Sequence, residues 1–340
     1  MKLAILAHGT FLGFGGKTAR GVYLYSPHEI VAIIDKDRAG HYASDFFPGK
    51  RKVPIVKSID EVKDYDTLII GAAPIGGALP EDWRGEIKKA LMEGKNVISG
   101  LHYFLSEDNE FVSIAEKTGA KIWDVRKTPK NLRVADGSGK NINTVLVAGT
   151  DCSVGKMITA VELTQEAKRR GLNAGFVATG QTGIMIGCDA GAVIDRIPGD
   201  FMAGAVEEMI KKVGEEKEIV FVEGQGDLAH PAYSGVTLAI LHGSYAKKII
   251  IAHDPTRKEH SGYEGLGFPI LSLERTIELY EKLAENVSGG KVVGISVDAE
   301  NMSDMEVRKY IEKVESELGL PAEDVLKTHA KKLLDAVLRA

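Results

Sequence analysis

Along the chain, short apolar runs rich in Val, Ile and Ala alternate with longer stretches whose apolar positions recur at helical spacing. That alternation is the pattern of a parallel sheet covered by helices. In the first series strands are predicted over 2–7, 29–35, 67–73, 96–100 and 120–125. Helical spacing covers 58–65 and 82–94, where Gly94 offers a C-cap. A second series opens at "TVLVAGT" (144–150). It predicts helices over 156–171, 199–214, near 237–245 and over 273–286, and strands over 173–179, 218–226, 247–255 and 291–298. Charged amphipathic segments at 303–317 and 322–338 close the chain. The polar, glycine-containing stretch 131–143 is the best boundary. The expected architecture is α/β: a Rossmann-like parallel-sheet domain over 1–138, then a larger P-loop α/β domain over 139–340.

Composition narrows the partners more than the fold. With 44% hydrophobic and 27% charged residues, a chain of 340 residues can bury a sizeable core in each of two domains. The net charge of −5, with both signs interspersed, excludes a basic nucleic-acid stripe but leaves room for a locally positive site that takes a small anion. Cys152 and Cys188 are the two cysteines, which argues for a reducing compartment. "MKLAILAHGT" reads as a first strand rather than a signal peptide, and no window is long and apolar enough for a membrane span. A cytoplasmic chain without membrane partners, acting on a small molecule and assembling as a homo-oligomer, is the expectation.

The strongest chemical signal is "VLVAGTDCSVGKM" (145–157). It follows a strand and opens a helix, so its backbone amides and the helix N-terminus would ring a phosphate, with Lys156 neutralising charge. The cradle comprises Gly149, Thr150, Asp151, Cys152, Ser153, Val154, Gly155, Lys156 and Met157. Met157 stands where a nucleotide hydrolase carries the hydroxyl that holds magnesium. Cys152, a thiol at a helix N-terminus beside a lysine, should be acidified; acyl-enzyme formation is conceivable, but a small loop residue offering its amide is the preferred role.

Other candidates follow strands at their carboxyl ends, the ligand edge of an open α/β sheet. Glu223, Asp227 and His230, in "VEGQGDLAHP", are candidate bases. In "HDPTRKEH" (253–260), Arg257 is the preferred carboxylate reader, with Arg196 second; Lys258 and His260 read as solvated loop. "GQTGIMIG" (180–187) follows a strand and could approach a ligand with its backbone, Gln181 and Thr182 being its polar members. In "AHGTFLGFGGKTARG" (7–21) a dinucleotide fingerprint fails, because Thr18 replaces its last glycine. Lys17 and Thr18 are placed as helpers of the active site.

The loop spacing and the VEG turn resemble dethiobiotin synthetase and related amidoligases, whose magnesium-binding glutamate maps onto Glu223. That resemblance implies ATP with magnesium as cosubstrates. Two positions depart from it: Met157 replaces a threonine, and Val177 stands near a substrate lysine. A resemblance spanning nearly the whole chain is carried by "KTARGVYLYS" (17–26), "SGLH" (99–102), "GTDCSVGKM" (149–157), "VATGQTGI" (177–184), "DFMAGAVE" (200–207), "VEGQGDLAHPAYSGVTLAILHGS" (222–244) and "HDPTR" (253–257). On these blocks the chain resembles the D-glutamate N-acetyltransferase family, formerly a domain-of-unknown-function family. The resemblance implies acetyl-CoA as cosubstrate and an acidic amino acid, D-glutamate, as acceptor, with the loop holding the CoA phosphates. No phosphoryl group would then move, which would explain the tolerance of Met157. An ATP-dependent ligase or carboxylase and a non-catalytic nucleotide sensor are the alternatives.

Overall fold

The computed structural model describes residues 1–47, 49–72 and 77–340. The chain divides into two compact units, one made of Met1–Thr128 with Gln181–Gly187, the other of Pro129–Gly180 with Cys188–Ala340.

In the first unit six parallel strands form one sheet: β1 (Lys2–Leu6), β2 (Glu29–Ile34), β3 (Ile55–Val56), β4 (Thr67–Ile70), β5 (Asn96–Ser99) and β6 (Ile122–Asp124). Their order, β3-β2-β1-β4-β5-β6, is that of a doubly wound sheet. Helices α1 (Lys17–Tyr25), α2 (Arg84–Met92) and α3 (Asn109–Thr118) belong to the same unit. The central strands bury both faces, Leu6, Leu68 and Ile70 against Trp83, Ile87 and Phe111, and Leu3 and Ile5 against Phe11, Val22 and Tyr23. This two-sided burial is why β1 and β4 read as continuous apolar runs rather than alternating ones.

The second unit is built on seven parallel strands: β7 (Thr144–Gly149), β8 (Ala174–Ala178), β9 (Ala190–Gly191), β10 (Ile219–Glu223), β11 (Lys248–His253), β12 (Lys291–Val297) and β13 (Ala322–Glu323), in the order β13-β12-β11-β7-β10-β8-β9. Its helices are α4 (Lys156–Arg169), α6 (Gly199–Gly214), α7 (Ser234–Ser244), α8 (Leu273–Ala284), α9 (Asp304–Leu318), α10 (Val325–Thr328) and α11 (Lys331–Arg339). Leu146, Val220, Val222, Ile249 and Ile251 pack with Val206, Ile210, Ile240 and Tyr280 in its core. Because the strands are parallel, the turns after β7, β10, β11 and β12 all leave one edge of the sheet. The candidate chemistry lies on those turns.

Three expectations need correction. The helix foreseen over 58–65 is a single 3-10 turn, Ile59–Glu61: Val62 is already extended, and Asp64 takes a φ of 56° before the chain enters β4. The segment 322–338 is not one helix but β13, α10 and α11, interrupted where His329 and Ala330 both adopt left-handed backbone. The glycine-rich 180–187 is no open loop: Gln181–Ile186 forms helix α5, which packs with the first unit. There Thr182 Oγ1 lies 2.8 Å from Thr18 Oγ1, and Arg126 donates to Gln181 Oε1 at 2.8 Å. Of the strand foreseen over 67–73, β4 covers Thr67–Ile70, and Ala73 lies outside the described residues.

Candidate functional site

The loop between β7 and α4 takes its shape from two glycines. A Cβ on Gly149 would sit 2.9 Å from Val154 Cγ2 and 3.1 Å from both the Ala252 carbonyl oxygen and Lys156 Cδ, so only hydrogen fits. Gly155 turns the chain into α4 at a φ of +87°, a left-handed conformation that a side chain would strain. Ser153 also sits at positive φ, 54°, and is exposed. Lys156 is buried and its ammonium donates to the Asp151 carbonyl, which folds the lysine back along the loop. Thr150 is tied to the neighbouring strand through its amide to the Ala252 carbonyl (3.0 Å) and through its hydroxyl to His253 Nδ1 (2.9 Å). Met157, half-buried in the first turn of α4, brings no hydroxyl to this edge.

Beneath the loop lies a buried polar cluster. Asp151 is fully buried; its Oδ2 accepts from Arg257 (2.7 Å) and from the Ser261 amide (2.9 Å), and its Oδ1 lies 3.2 Å from His260 Nδ1. Burial alone would raise its pKa, but Arg257, the Ser261 and Cys152 amides and His260 together hold it below the usual carboxylate range. Arg257 also donates to the Cys152 carbonyl at 2.6 Å, so it braces the loop from the β11 side. His230 is fully buried against the rings of Tyr233, His260 and Tyr263. Burial lowers its pKa, and His260 adds to that while Asp151 opposes it.

The two histidines differ in tautomer. His230 Nδ1 accepts the Ala232 amide at 3.1 Å, so the neutral ring carries its proton on Nε2, 3.7 Å from Asp151 Oδ1. His260 is the reverse. In the neutral ring the proton sits on Nδ1, which faces an ionised carboxylate, and Nε2 carries the lone pair. That Nε2 is buried without a hydrogen-bond partner, 4.0 Å from Asp227 Oδ2. Asp227 accepts the Ala229 amide at 2.9 Å, and burial pushes its carboxyl up. His260, foreseen as a solvated loop residue, is 1% exposed and belongs to the cluster. The sequence offered one signal for this, the acidic residue inside the phosphate loop, which needs a buried cationic or hydrogen-bonding partner.

The remaining candidates fall elsewhere. Glu223 Oε2 accepts the amides of Thr179 (3.0 Å) and Gly180 (3.2 Å), so it fixes the turn after β8. Arg196 is exposed in the 3-10 turn Ile194–Arg196. Gln181 and Thr182 are engaged with Arg126 and Thr18 of the first unit. In that unit Asp35, just after β2, accepts the amides of Gly9 (2.9 Å) and Asp37 (3.1 Å) and so shapes the turn after β1.

Magnesium takes oxygen ligands in octahedral array, several of them waters or ligand phosphates; Met157 offers none, and Glu223 Oε2 is taken by two amides. Asp151, Cys152 and His230 bring ligand atoms within 4.8 Å of one another, but the protonated Nε2 of His230 has no lone pair for a cation.

A family model described as "Domain of unknown function (DUF1611_C) P-loop domain" matches residues 133–334, and "Domain of unknown function (DUF1611_N) Rossmann-like domain" matches 36–128. The chain belongs to the DUF1611 family. A crystal structure of a DUF1611 family protein from Anabaena variabilis ATCC 29413 superposes with a TM-score of 0.93 at 37% identity, over 100% of this chain and 99% of that one. A D-glutamate N-acetyltransferase of Tritonibacter scottomollicae is 39% identical over 272 residues, 80% of each chain. A second protein of that name, from a Pseudoalteromonas species, is 36% identical over 262 residues, 77% of this chain and 78% of its own. The DUF1611 chain is therefore a Rossmann-like domain and a P-loop domain, each with an all-parallel sheet. Among the described residues no helix is long and apolar enough to cross a membrane.

Proposed function

We propose that this DUF1611 chain transfers the acetyl group of acetyl-CoA to the amine of D-glutamate, with the CoA diphosphate held on the loop 149–157. The observation that carries the reading is a phosphate loop that keeps its lysine and glycines but lacks a magnesium-binding hydroxyl. Such a loop suits an anchor for a diphosphate that does not react. The names of two relatives, D-glutamate N-acetyltransferase, supply the reaction and the acceptor. Attack by the amine on the thioester carbonyl needs a base for the ammonium proton, and the CoA thiolate leaves.

His260 is the group best prepared for that base. Asp151 orients it through Nδ1 and stabilises the imidazolium that forms, while Nε2 presents the lone pair. Burial by the turn 261–268 would have to be relieved for the amine to reach it. That turn carries glycines at positive φ at 262, 265 and 267, which give its backbone the freedom such an opening needs. Arg257 and the Ser261 amide keep Asp151 ionised, so they act through Asp151 rather than on substrate.

The test is release of CoA thiol from acetyl-CoA with a panel of D- and L-amino acids, without ATP or magnesium. Acceptor-dependent release that is greatest with D-glutamate is expected. Release that needs ATP and magnesium, or none with any acceptor, would overturn the reading in favour of a ligase or a nucleotide-binding protein without turnover.

A further inference from the structure

Asp227 and His260 meet in the second unit with two acceptors face to face. Gly226, at a φ of +60°, turns the chain after β10, and Asp227 beyond it is 3% exposed. His260 is carried by the excursion after β11, which is tied at its base by the His260 amide to the Phe268 carbonyl (3.0 Å) and by a bridge between Glu259 and Pro269. Asp227 Oδ2 accepts the Ala229 amide at 2.9 Å and lies 4.0 Å from His260 Nε2. That Nε2 has no hydrogen-bond partner among the described residues. Asp151, the other carboxylate of the cluster, has Arg257 at 2.7 Å, whereas the ionic contact of Asp227 is with the His260 ring. Burial pushes the Asp227 carboxyl up, opposed by the Ala229 amide, His260 and Lys156, so a cation close to it would restore its charge.

Two acceptors that face each other in a buried place attract a group that brings a donor to each. A hydroxyl brings one proton and satisfies one of them. A carboxylate brings none and is repelled by Asp227. Water brings two donors but no charge to answer the carboxylate. An ammonium brings three N–H groups and a positive charge, so it can give one to each acceptor and keep the third. Zinc fits less well: ligands at about 2.0–2.1 Å stand about 3.3 Å apart in a tetrahedron, and this pair supplies two of the four required.

We propose that Asp227 Oδ2 and His260 Nε2 together form the receptor for the ammonium group of the acceptor amino acid, Asp227 being the residue that binds and directs it. The proposal rests on acetyl transfer with His260 as base and adds the substrate contact to it. One N–H points at Nε2, and its proton passes to His260, which turns the ammonium into an amine. A second N–H stays on Asp227 Oδ2 and fixes the nitrogen while its new lone pair faces the thioester. The carbon–nitrogen bond then forms, the carbon–sulfur bond breaks, and the proton shed by the nitrogen leaves with the thiolate as CoA thiol. The charge on Asp227 turns the carboxylates of an acidic amino acid away, so the substrate enters amine first. The acetylated nitrogen keeps one N–H, so one acceptor loses its donor and the product binds less well than the substrate.

Calorimetric titration of the full chain, with and without coenzyme A, compares D-glutamate with glutarate, the same dicarboxylate lacking the amine, and so tests the receptor apart from turnover. The wild type is expected to bind D-glutamate at least about tenfold more tightly than glutarate, the contribution of one charge-assisted hydrogen bond. Asp227→Asn and Asp227→Ala are each expected to bring D-glutamate down to the glutarate level while glutarate binds as in the wild type, which also shows that the variants are folded. In steady-state kinetics both are expected to raise KM for D-glutamate at least about tenfold with KM for acetyl-CoA unchanged. His260→Gln, which keeps an acceptor for the ammonium, is expected to lower kcat instead. D-Glutamate that keeps its advantage over glutarate in both Asp227 variants, or has none in the wild type, would overturn the receptor and leave acetyl transfer standing. Equal loss of both ligands in both variants would mark Asp227 as a structural residue and overturn the receptor as well. A wild type that binds neither ligand and releases no thiol from acetyl-CoA with D-glutamate would overturn the receptor and acetyl transfer together.

Discussion

At the scale of single residues, the proposed reaction separates groups that hold the turns from the group assigned to react. Glu223 is a holding group. Glu223→Ala strands the buried amides of Thr179 and Gly180, and a cost of about 2–3 kcal/mol is expected in urea unfolding. Glu223→Gln keeps an acceptor and is expected to retain most of the wild-type turnover. His260 is the base of the proposed reaction. His260→Gln is expected to lower kcat by about 10²–10⁴ with KM little changed, the signature of a lost base rather than a lost contact. The matching substitution at His230, whose lone pair is already taken by Ala232, is expected to act mainly on stability. Equal loss of kcat in both variants would remove the distinction drawn from their tautomers. Sequence alone placed His230 ahead of His260, because a loop histidine beside charged residues reads as solvated until a buried carboxylate 109 positions away is brought to its Nδ1.

At the scale of elements, the chain declares its long regular segments and conceals its short ones. Helix α6 spans the predicted 199–214, and α9 nearly matches 303–317. Both carry several turns of helical periodicity, and α9 has a capping box in which Ser303 and Glu306 satisfy each other's amides. Ser303→Ala is expected to cost about 1 kcal/mol, read as a lower denaturation midpoint with unchanged slope. The two-residue strands β3, β9 and β13 are too short to show any period and are fixed by tertiary pairing. Helix α5 was hidden for another reason. Gly180, Gly183 and Gly187 punctuate it like a loop, and what stabilises it is packing on the first unit, through Thr182 to Thr18 and Gln181 to Arg126. The phosphate loop was legible because its glycines are dictated by backbone geometry, positive φ at Gly155 and close approach at Gly149.

For the molecule as a whole, two groups near the loop, buried His253 and half-buried Asp298, pull acid stability in opposite directions. Burial holds His253 neutral, lowering its pKa from 6.5 to about 4. The unfolded chain therefore binds a proton first, and this contribution, present above about 6.5, is lost as pH falls towards about 4; it amounts to about 3 kcal/mol. Burial, with Asp254 nearby, raises Asp298 from 3.8 to about 6. Here the native state binds the proton first, so stability grows as pH falls from about 6 to about 4 by a similar amount, about 3 kcal/mol at most. The two nearly cancel in the wild type between pH 4 and 6. Asp298→Asn removes one arm of the balance. The variant is expected to gain up to about 3 kcal/mol over the wild type at pH 7.5, where the wild type carries a buried charge, and to lose that advantage by about pH 4. The difference between the two proteins is then expected to appear between pH 6 and 4. Urea unfolding of both proteins across pH 4 to 8 measures this. Parallel curves for the two would show that Asp298 is ionised in the folded protein as readily as in the unfolded chain.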